Sequence, residues 1–255
     1  MAERLQWIRL QPAAWAHWGP VRGGAQAQEA LVSRYPQARC LLVEDEPGRT
    51  TAASALRPAW WQARRWSGPE IALRAPADGE VQMIWSNMAL HADPDPLTTI
   101  ARWHRALATD GFVMFSCLGP DTLRELRDLH ERLGWPAPAQ AFVDMHDWGD
   151  LLIQSGFAEP VMDVEHITLT YSSADTLLAD LRELGRNLDP ARHAGLRGRG
   201  WGARWREAVA SGLAGRGDSP ERLSLRFEII YGHALKPLPR AAVAPVTAVP
   251  LSEMR

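Results

Sequence analysis

The apolar residues of the chain recur with two periods, and their alternation predicts the architecture. "AAWAHW" is a buried-strand pattern, followed by the turn signals Gly19-Pro20 and Gly23-Gly24. "AQAQEALVSRYP" sets Ala27, Ala30 and Leu31 at helical spacing and stops at Pro36. "ARCLLVED" is a continuous apolar run closed by acids, as a central parallel strand requires. The least patterned stretch is Pro47 to Ala77, where a helix over 48–57 and an edge strand over 70–74 are expected. Upstream, "AERLQWIRLQP" predicts a short amphipathic helix closed by Pro12.

From Val81 the rhythm is regular. "VQMIWSN" predicts a strand, and "DPLTTIARWHRALA" a helix with Leu97, Ile100, Trp103 and Leu107 on one face. "GFVMFSCL" is the next strand; "DTLRELRDLHERLG" is a helix capped by Asp121 and ended by Gly134. The helix "DWGDLLIQSGF", the strand "PVMDVEHITLTY" and the helix "SSADTLLADLRELG" follow, and "LSLRFEIIYGHAL" closes the series as a long strand. Strands alternating with helices make a parallel α/β sheet, which binds ligands at the carboxyl ends of its strands. The positions to inspect are therefore Gly19 to Gly24, Glu44 and Asp45, Ser86 and Asn87, and Gly119 to Thr122.

Composition narrows this picture. A chain of 255 residues suits one domain, expected over 1–237, with a helical Arg-rich insertion over about 173–222. The Pro/Ala-rich stretch 238–255 is expected to be a disordered tail. A formal net charge of -2 gives no bulk attraction to nucleic acid or an anionic membrane. Cys40 and Cys117 lie in separate apolar runs and read as buried thiols in a reducing compartment. No run has signal-peptide or membrane-spanning character, so a cytoplasmic protein is expected. No two histidines have metal-site spacing, so no metal is expected. Most of the 12 tryptophans read as packing residues. In "PAWWQARRW", Trp60, Trp61 and Trp66 alternate with arginines and read as a cation–π surface helix rather than a nucleic-acid stacking surface.

One long stretch carries a resemblance. "SNMALHADPDPLTTIARWHRALATDGFVMFSCLGPDTLRELR", with the later "DMHDWGDLLIQSGFAEPVMDVEHITLTY" and "FEIIYGHALKP", resembles the malonyl-acyl-carrier-protein methyltransferases of biotin synthesis. Several motifs occur in the family's order over most of residues 82–237, which is more specific than any single pattern. The resemblance implies a class I methyltransferase fold, a Rossmann-like seven-stranded, mostly parallel sheet with an antiparallel last strand. It implies S-adenosylmethionine as cofactor, and methyl transfer to the free carboxylate of a malonyl thioester on acyl carrier protein. A related branch includes assembly factors for respiratory complex I.

The family's first motif reads acid-x-Gly-x-Gly-x-Gly after strand one. Here the matching positions are His17, Trp18, Gly19, Pro20, Val21, Arg22 and Gly23. The outer glycines are kept, the acid is histidine, and the middle glycine is Val21, whose branched side chain disfavours positive φ and takes up ligand volume. Pro20 removes a backbone donor. The ribose-binding acid of the family falls on Glu44, with Asp45 as a slipped alternative and a solvated acidic loop as an equal reading. The acid near the adenine has only Asp78 to match it. The family's N-terminal helical lid is expected to be missing or truncated.

The resemblance places the remaining candidates. Ser86 joins Gly19, Gly23 and Glu44 as a cofactor-binding position. Asn87 and His91 lie where the family's cofactor and substrate meet, although Asn87 also reads as a strand cap and His91 as an aromatic filler. His146 reads as a helix-start residue. A carboxylate substrate calls for a cation, and arginine suits its planar geometry. Arg127 reads equally as that cation or as a surface charge, and Arg124 mainly as a surface charge. Arg192, Arg197, Arg199, Arg204 and Arg206 form a basic run, which reads as a solvated face or as a dock for an acidic carrier protein. Two functions follow: an S-adenosylmethionine-dependent O-methyltransferase, or a methyltransferase-fold module that has lost its cofactor and binds partners.

Overall fold

The computed structural model describes residues 1–57, 61, 68–195, 197–215 and 222–239. Its seven strands form one sheet in the order β3-β2-β1-β4-β5-β7-β6. Strands β1 (Ala14–Trp18), β2 (Arg39–Val43), β3 (Ile71–Leu73), β4 (Val81–Asn87) and β5 (Leu107–Leu118) pair in parallel. The far edge is built from β6 (Ala158–Tyr171) and β7 (Leu223–Leu235), with β7 antiparallel to both of its neighbours. This is the α/β sheet that the strand–helix alternation predicts, with the reversed last strand that the resemblance implies.

Helices cover both faces, which is why β1 is buried at every position. α1 (Pro20–Gly23), α2 (Ala25–Arg34) and α3 (Thr50–Ala55) belong to the first half. α4 (Pro96–Ala106), α5 (Arg124–Arg132) and α6 (Met145–Gln154) belong to the second. On one face Ala16 and Trp18 pack with Leu41, Ile100, Trp103 and Trp148. On the other, Trp15 packs with Cys40, Leu42, Trp85, Leu31 and Tyr35. Trp15, Trp85, Trp103 and Trp148 are all fully buried, so these four tryptophans are packing residues. Trp60 and Trp66 lie outside the described residues, while Trp61 is exposed.

Local chemistry shifts several expected details. The amino-terminal segment forms a 3-10 turn over Ala2–Trp7, anchored by buried Leu5 and by Arg4, which pairs with Asp163 and stacks on Tyr231. In α4, Asp95 accepts the Thr98 N–H and Pro96 occupies the first turn, so Leu97 is left half-exposed while Ile100 and Trp103 are buried. Leu107 already belongs to β5. Asp121 does not cap α5; the capping position is Leu123, in the left-handed region at φ 58°. Gly134, at φ 64°, closes that helix as expected. No described helix is long and apolar enough to cross a membrane.

The register of β7 positions the site. Its Ile229 pairs with Leu118, the last residue of β5, so Leu223 to Glu228 project beyond the carboxyl end of that strand. Two helices inserted between β6 and β7, α7 (Ala174–Leu184) and α8 (Arg199–Gly212), settle on this projection. A separate apolar cluster of Leu126, Leu177, Trp205, Val209 and Leu225 holds them against α5. Ser173 and Thr176 cap α7 reciprocally.

Candidate functional site

The loop after β1 keeps its shape through contacts inside the chain. Gly19 sits at φ 66°, and its N–H donates to the Val43 carbonyl at 2.9 Å, tying the turn to the end of β2. A Cβ on Gly19 would stand 2.9 Å from the Ala89 Cβ, and one on Gly23 2.7 Å from His17 Nε2. Between these two tight positions, Val21 and Arg22 face an open cavity.

His17, at the motif's acid position, is fully buried under that loop. The Gln28 amide donates to Cys40 Sγ at 3.1 Å, so Gln28 Oε1 is the acceptor for His17 Nδ1–H at 2.7 Å. Burial pushes the His17 pKa down to about 4 despite that hydrogen bond. The imidazole is therefore neutral at neutral pH, and the position carries no negative charge.

Glu44 follows β2 directly. Its Oε1 accepts the Glu46 N–H at 3.3 Å, while its Oε2 is buried without a partner among the described residues. A buried carboxylate oxygen lacking a donor is costly to leave so, and it fits a hydroxyl-bearing ligand. Asp45 differs: Arg102 engages both of its oxygens, at 2.7 and 2.9 Å, and stacks on Trp18. Only Glu44 keeps an acceptor to offer. Asp78 is at the wrong end of the sheet. It lies in the turn entering the amino end of β4, where Gly79 N–H donates to the Arg105 carbonyl. The connection from β3 is too short to leave an acid at the carboxyl edge.

Near the carboxyl end of β4, Ser86 is fully buried with Oγ unpartnered among the described residues. Asn87 bridges two strands' loops: its Nδ2 donates to the Gly23 carbonyl at 2.9 Å, and its Oδ1 accepts from Ser116 Oγ at 2.7 Å. His91 lies in the cavity wall, edge-on to Phe142. Leu118 N–H donates to its Nδ1 at 3.3 Å, which places the proton on Nε2. Burial, helped by the charge of Arg22, lowers its pKa to about 4. His146 begins α6, where its N–H donates to Asp144 Oδ1.

The cavity, of about 1440 Å³, extends from Val21, Arg22, Met88 and His91 to α7 and α8. Neither Arg124 nor Arg127 lines it. Arg124 is exposed and pairs with Asp121 at 3.1 Å. Arg127 donates to the carbonyls of Thr122, Ala139 and Gln140 and stacks on Phe142, pinning the segment after α5. The cations in the wall come from elsewhere: Arg197 and Arg199, with Arg22, Arg49, Arg182, Arg186 and Arg206. Arg206 pairs with Asp175, and Arg22 and Arg49 share Glu46. Arg182, Arg186, Arg197 and Arg199 form no ion pair among the described residues. Arg197 stacks at 3.8 Å on Trp201, beside His130, which donates to the Pro136 carbonyl and accepts from Trp205 Nε1.

The fold also gathers Asp121, His166 and Glu228 within 4.8 Å, which sequence spacing hides. Internal contacts account for this group. Glu228 Oε2 accepts the Asp121 N–H at 2.6 Å, and Asp121 faces Arg124 and His166.

A parallel sheet with a reversed last strand, a glycine turn after β1 and a cavity over the strand ends define the class I methyltransferase fold. Solved structures share it. A Bacillus halodurans protein described as a methyltransferase matches with a TM-score of 0.61 at 13% identity, over 93% of this chain and 99% of its own. The YcgJ protein of Bacillus subtilis matches with a TM-score of 0.54 at 14% identity, over 89% and 93%. No protein-family model matches the chain. The malonyl-[acyl-carrier protein] O-methyltransferase of Gallionella capsiferriformans is 37% identical over 247 residues, covering 94% of this chain and 82% of that relative. The enzyme of the same name from Laribacter hongkongensis is 36% identical, with 94% and 81% covered. The chain belongs to the malonyl-[acyl-carrier protein] O-methyltransferase family.

Proposed function

We propose that the protein is an S-adenosylmethionine-dependent O-methyltransferase of biotin synthesis that esterifies the free carboxylate of a malonyl thioester on acyl carrier protein. The observation that carries this reading is a continuous cavity joining the turn after β1 to the arginine wall of α7 and α8. When bound, the cofactor supplies an electrophilic methyl group on a sulfonium. Glu44 Oε2 is suited to accept the ribose hydroxyls, and Gly19 and Gly23 set the turn beneath. Ser86 Oγ is a second buried polar atom able to meet a ligand.

The accepting carboxylate is ionised at neutral pH, so the reaction needs no general base. Catalysis then rests on orientation and exclusion of water, for which well-placed reactants gain on the order of 7–11 kcal/mol. Asn87 acts by positioning, since it ties Gly23 to Ser116. His91 presents a neutral Nε2–H to the cavity. An acyl carrier protein is acidic and presents its thioester on a phosphate-bearing arm, which Arg197 and Arg199, without an ion pair among the described residues, suit by charge.

The test is methyl-ester formation with S-adenosylmethionine on malonyl-carrier protein and on malonyl-coenzyme A, for the parent and the Arg197→Ala/Arg199→Ala variant. The expected result is a slower association with the carrier protein that fades as salt is raised, with smaller losses on coenzyme A. Equal losses on both substrates move these arginines to the pantetheine arm. Failure of the parent to bind S-adenosylmethionine in calorimetry returns the chain to the partner-binding reading.

A further inference from the structure

The turn after β1 has exchanged its charge. The position that carries an acid in the family holds His17, neutral and buried beneath the turn, and its partners Gln28 and Cys40 are uncharged as well, burial raising the Cys40 pKa to about 12. The turn instead presents a guanidinium. Arg22 lines the cavity with a side chain only 28% exposed; burial and then the nearby charge of Arg49 disfavour its cation, outweighing the opposing charges of Glu46 and Glu44. Its acid contact is long: Glu46 stands 3.8 Å away and gives its closer contact, 3.1 Å, to Arg49. Two guanidinia thus share one exposed carboxylate, and His91 across the cavity is neutral. That corner holds a half-buried, half-satisfied cation with an opening in front of it.

We infer that Arg22 binds the α-carboxylate of the cofactor's amino-acid end, so that this turn reads the anionic group rather than the ammonium. The inference rests on the cofactor reading above. Arg22 belongs to the β1–β2 side of the cavity, beside Glu46 and the end of β2, and not to the α7–α8 side where the acyl substrate meets Arg197 and Arg199. A planar guanidinium matches a carboxylate in two parallel hydrogen bonds and repels an ammonium.

The experiment compares three nucleosides by calorimetry on the full chain. S-adenosylhomocysteine has both charged groups, its decarboxylated analogue keeps only the ammonium, and methylthioadenosine has neither. Arg22→Ala should weaken S-adenosylhomocysteine about 10-fold or more, roughly 1.4 kcal/mol. Methylthioadenosine should bind the variant as well as the parent, which also shows that the variant is folded, and the decarboxylated analogue should bind it as well or more tightly, because the cation that repels its ammonium is gone. Arg22→Lys should restore part of the loss. Equal weakening of all three overturns the inference, as does unchanged S-adenosylhomocysteine binding with a raised KM for the malonyl substrate. If the parent binds none of the three, the cofactor reading itself fails.

Discussion

The loops after β1 and β4 meet at one cavity, but they are held by different means. The β4 loop is fixed by polar contacts: Asn87 to Gly23 and Ser116, Met88 N–H to the Ser116 carbonyl, and His91 to Leu118. The β1 turn has hydrogen bonds too, from Gly19 N–H to the Val43 carbonyl and from Asn87 to the Gly23 carbonyl, but it adds close packing of its glycines against Ala89, His17 and Asn87. Its departures from the family motif fall where packing does not decide. Gly19 and Gly23 stand where a Cβ meets this chain's own atoms, whereas Val21 faces the cavity. The comparison separates glycines that the fold requires from one that a ligand would prefer.

The largest effect expected from breaking this separation is on stability. Gly19→Ala combines a left-handed φ with a 2.9 Å approach to Ala89 Cβ, an atom with no freedom to swing aside. The loss should be about 2–3 kcal/mol in denaturant unfolding. Gly24, at φ 84° and ψ 146°, has nothing within 4 Å of its added Cβ, so Gly24→Ala should lose about 1–3 kcal/mol through backbone strain alone. A Gly19→Ala loss no greater than about 1–2 kcal/mol, the cost of its left-handed backbone by itself, would show that the approach to Ala89 adds nothing.

A pH titration sharpens the same contrast. An unfolded histidine titrates near 6.5 and folded His17 near 4. Above pH 6.5 neither state holds the proton, and the full stability is present. As pH falls from 6.5 toward 4, only the unfolded chain takes it up, and stability drops by up to about 1.4 kcal/mol per pH unit. His91, also near 4, adds to the same window. His17→Gln should flatten the slope measured between pH 6.5 and 4; an unchanged slope would mean that His17 is not buried neutral.

The sheet was legible because parallel strands covered on both faces read as unbroken apolar runs, as in "ARCLLVED" and "VQMIWSN". The cations of the site were harder to read. Arg127 was one candidate for the substrate's cation, but its guanidinium meets carbonyls of 139 and 140, which carry no periodic signal. Arg182, in α7, and Arg186, just after it, belong to no motif. Their place in the cavity wall depends on how far β7 projects beyond β5, a pairing between distant parts of the chain. Arg22 was visible only as one residue of a departing motif, though a cation at a motif position was itself a signal.

Removing the acceptor at the neighbouring strand end gives a smaller, ligand-only effect. Glu44→Ala should weaken S-adenosylmethionine by roughly 1.5–3 kcal/mol, the range for hydrogen bonds to charged groups. Stability should change little, because Oε2 has no partner to lose among the described residues. Calorimetry showing parental affinity in a folded variant would make Glu44 a solvated-loop residue.

The smallest effect tests the ligand-facing position directly. Val21 lies inside the single helical turn Pro20–Gly23 and lines the cavity, so its side chain contributes to the turn while occupying ligand space. Val21→Gly removes the branched carbons and frees φ, which lets the backbone approach a ligand. The variant should bind S-adenosylmethionine about 3- to 5-fold more tightly, under roughly 1 kcal/mol. The added chain entropy should cost about 0.5–1 kcal/mol of stability, so affinity and stability move in opposite directions. If affinity and stability fall together, Val21 is a packing residue like Gly19 and Gly23, and the turn as a whole is held for the fold. If affinity rises while stability falls, the position is one that ligand approach alone would have kept as glycine.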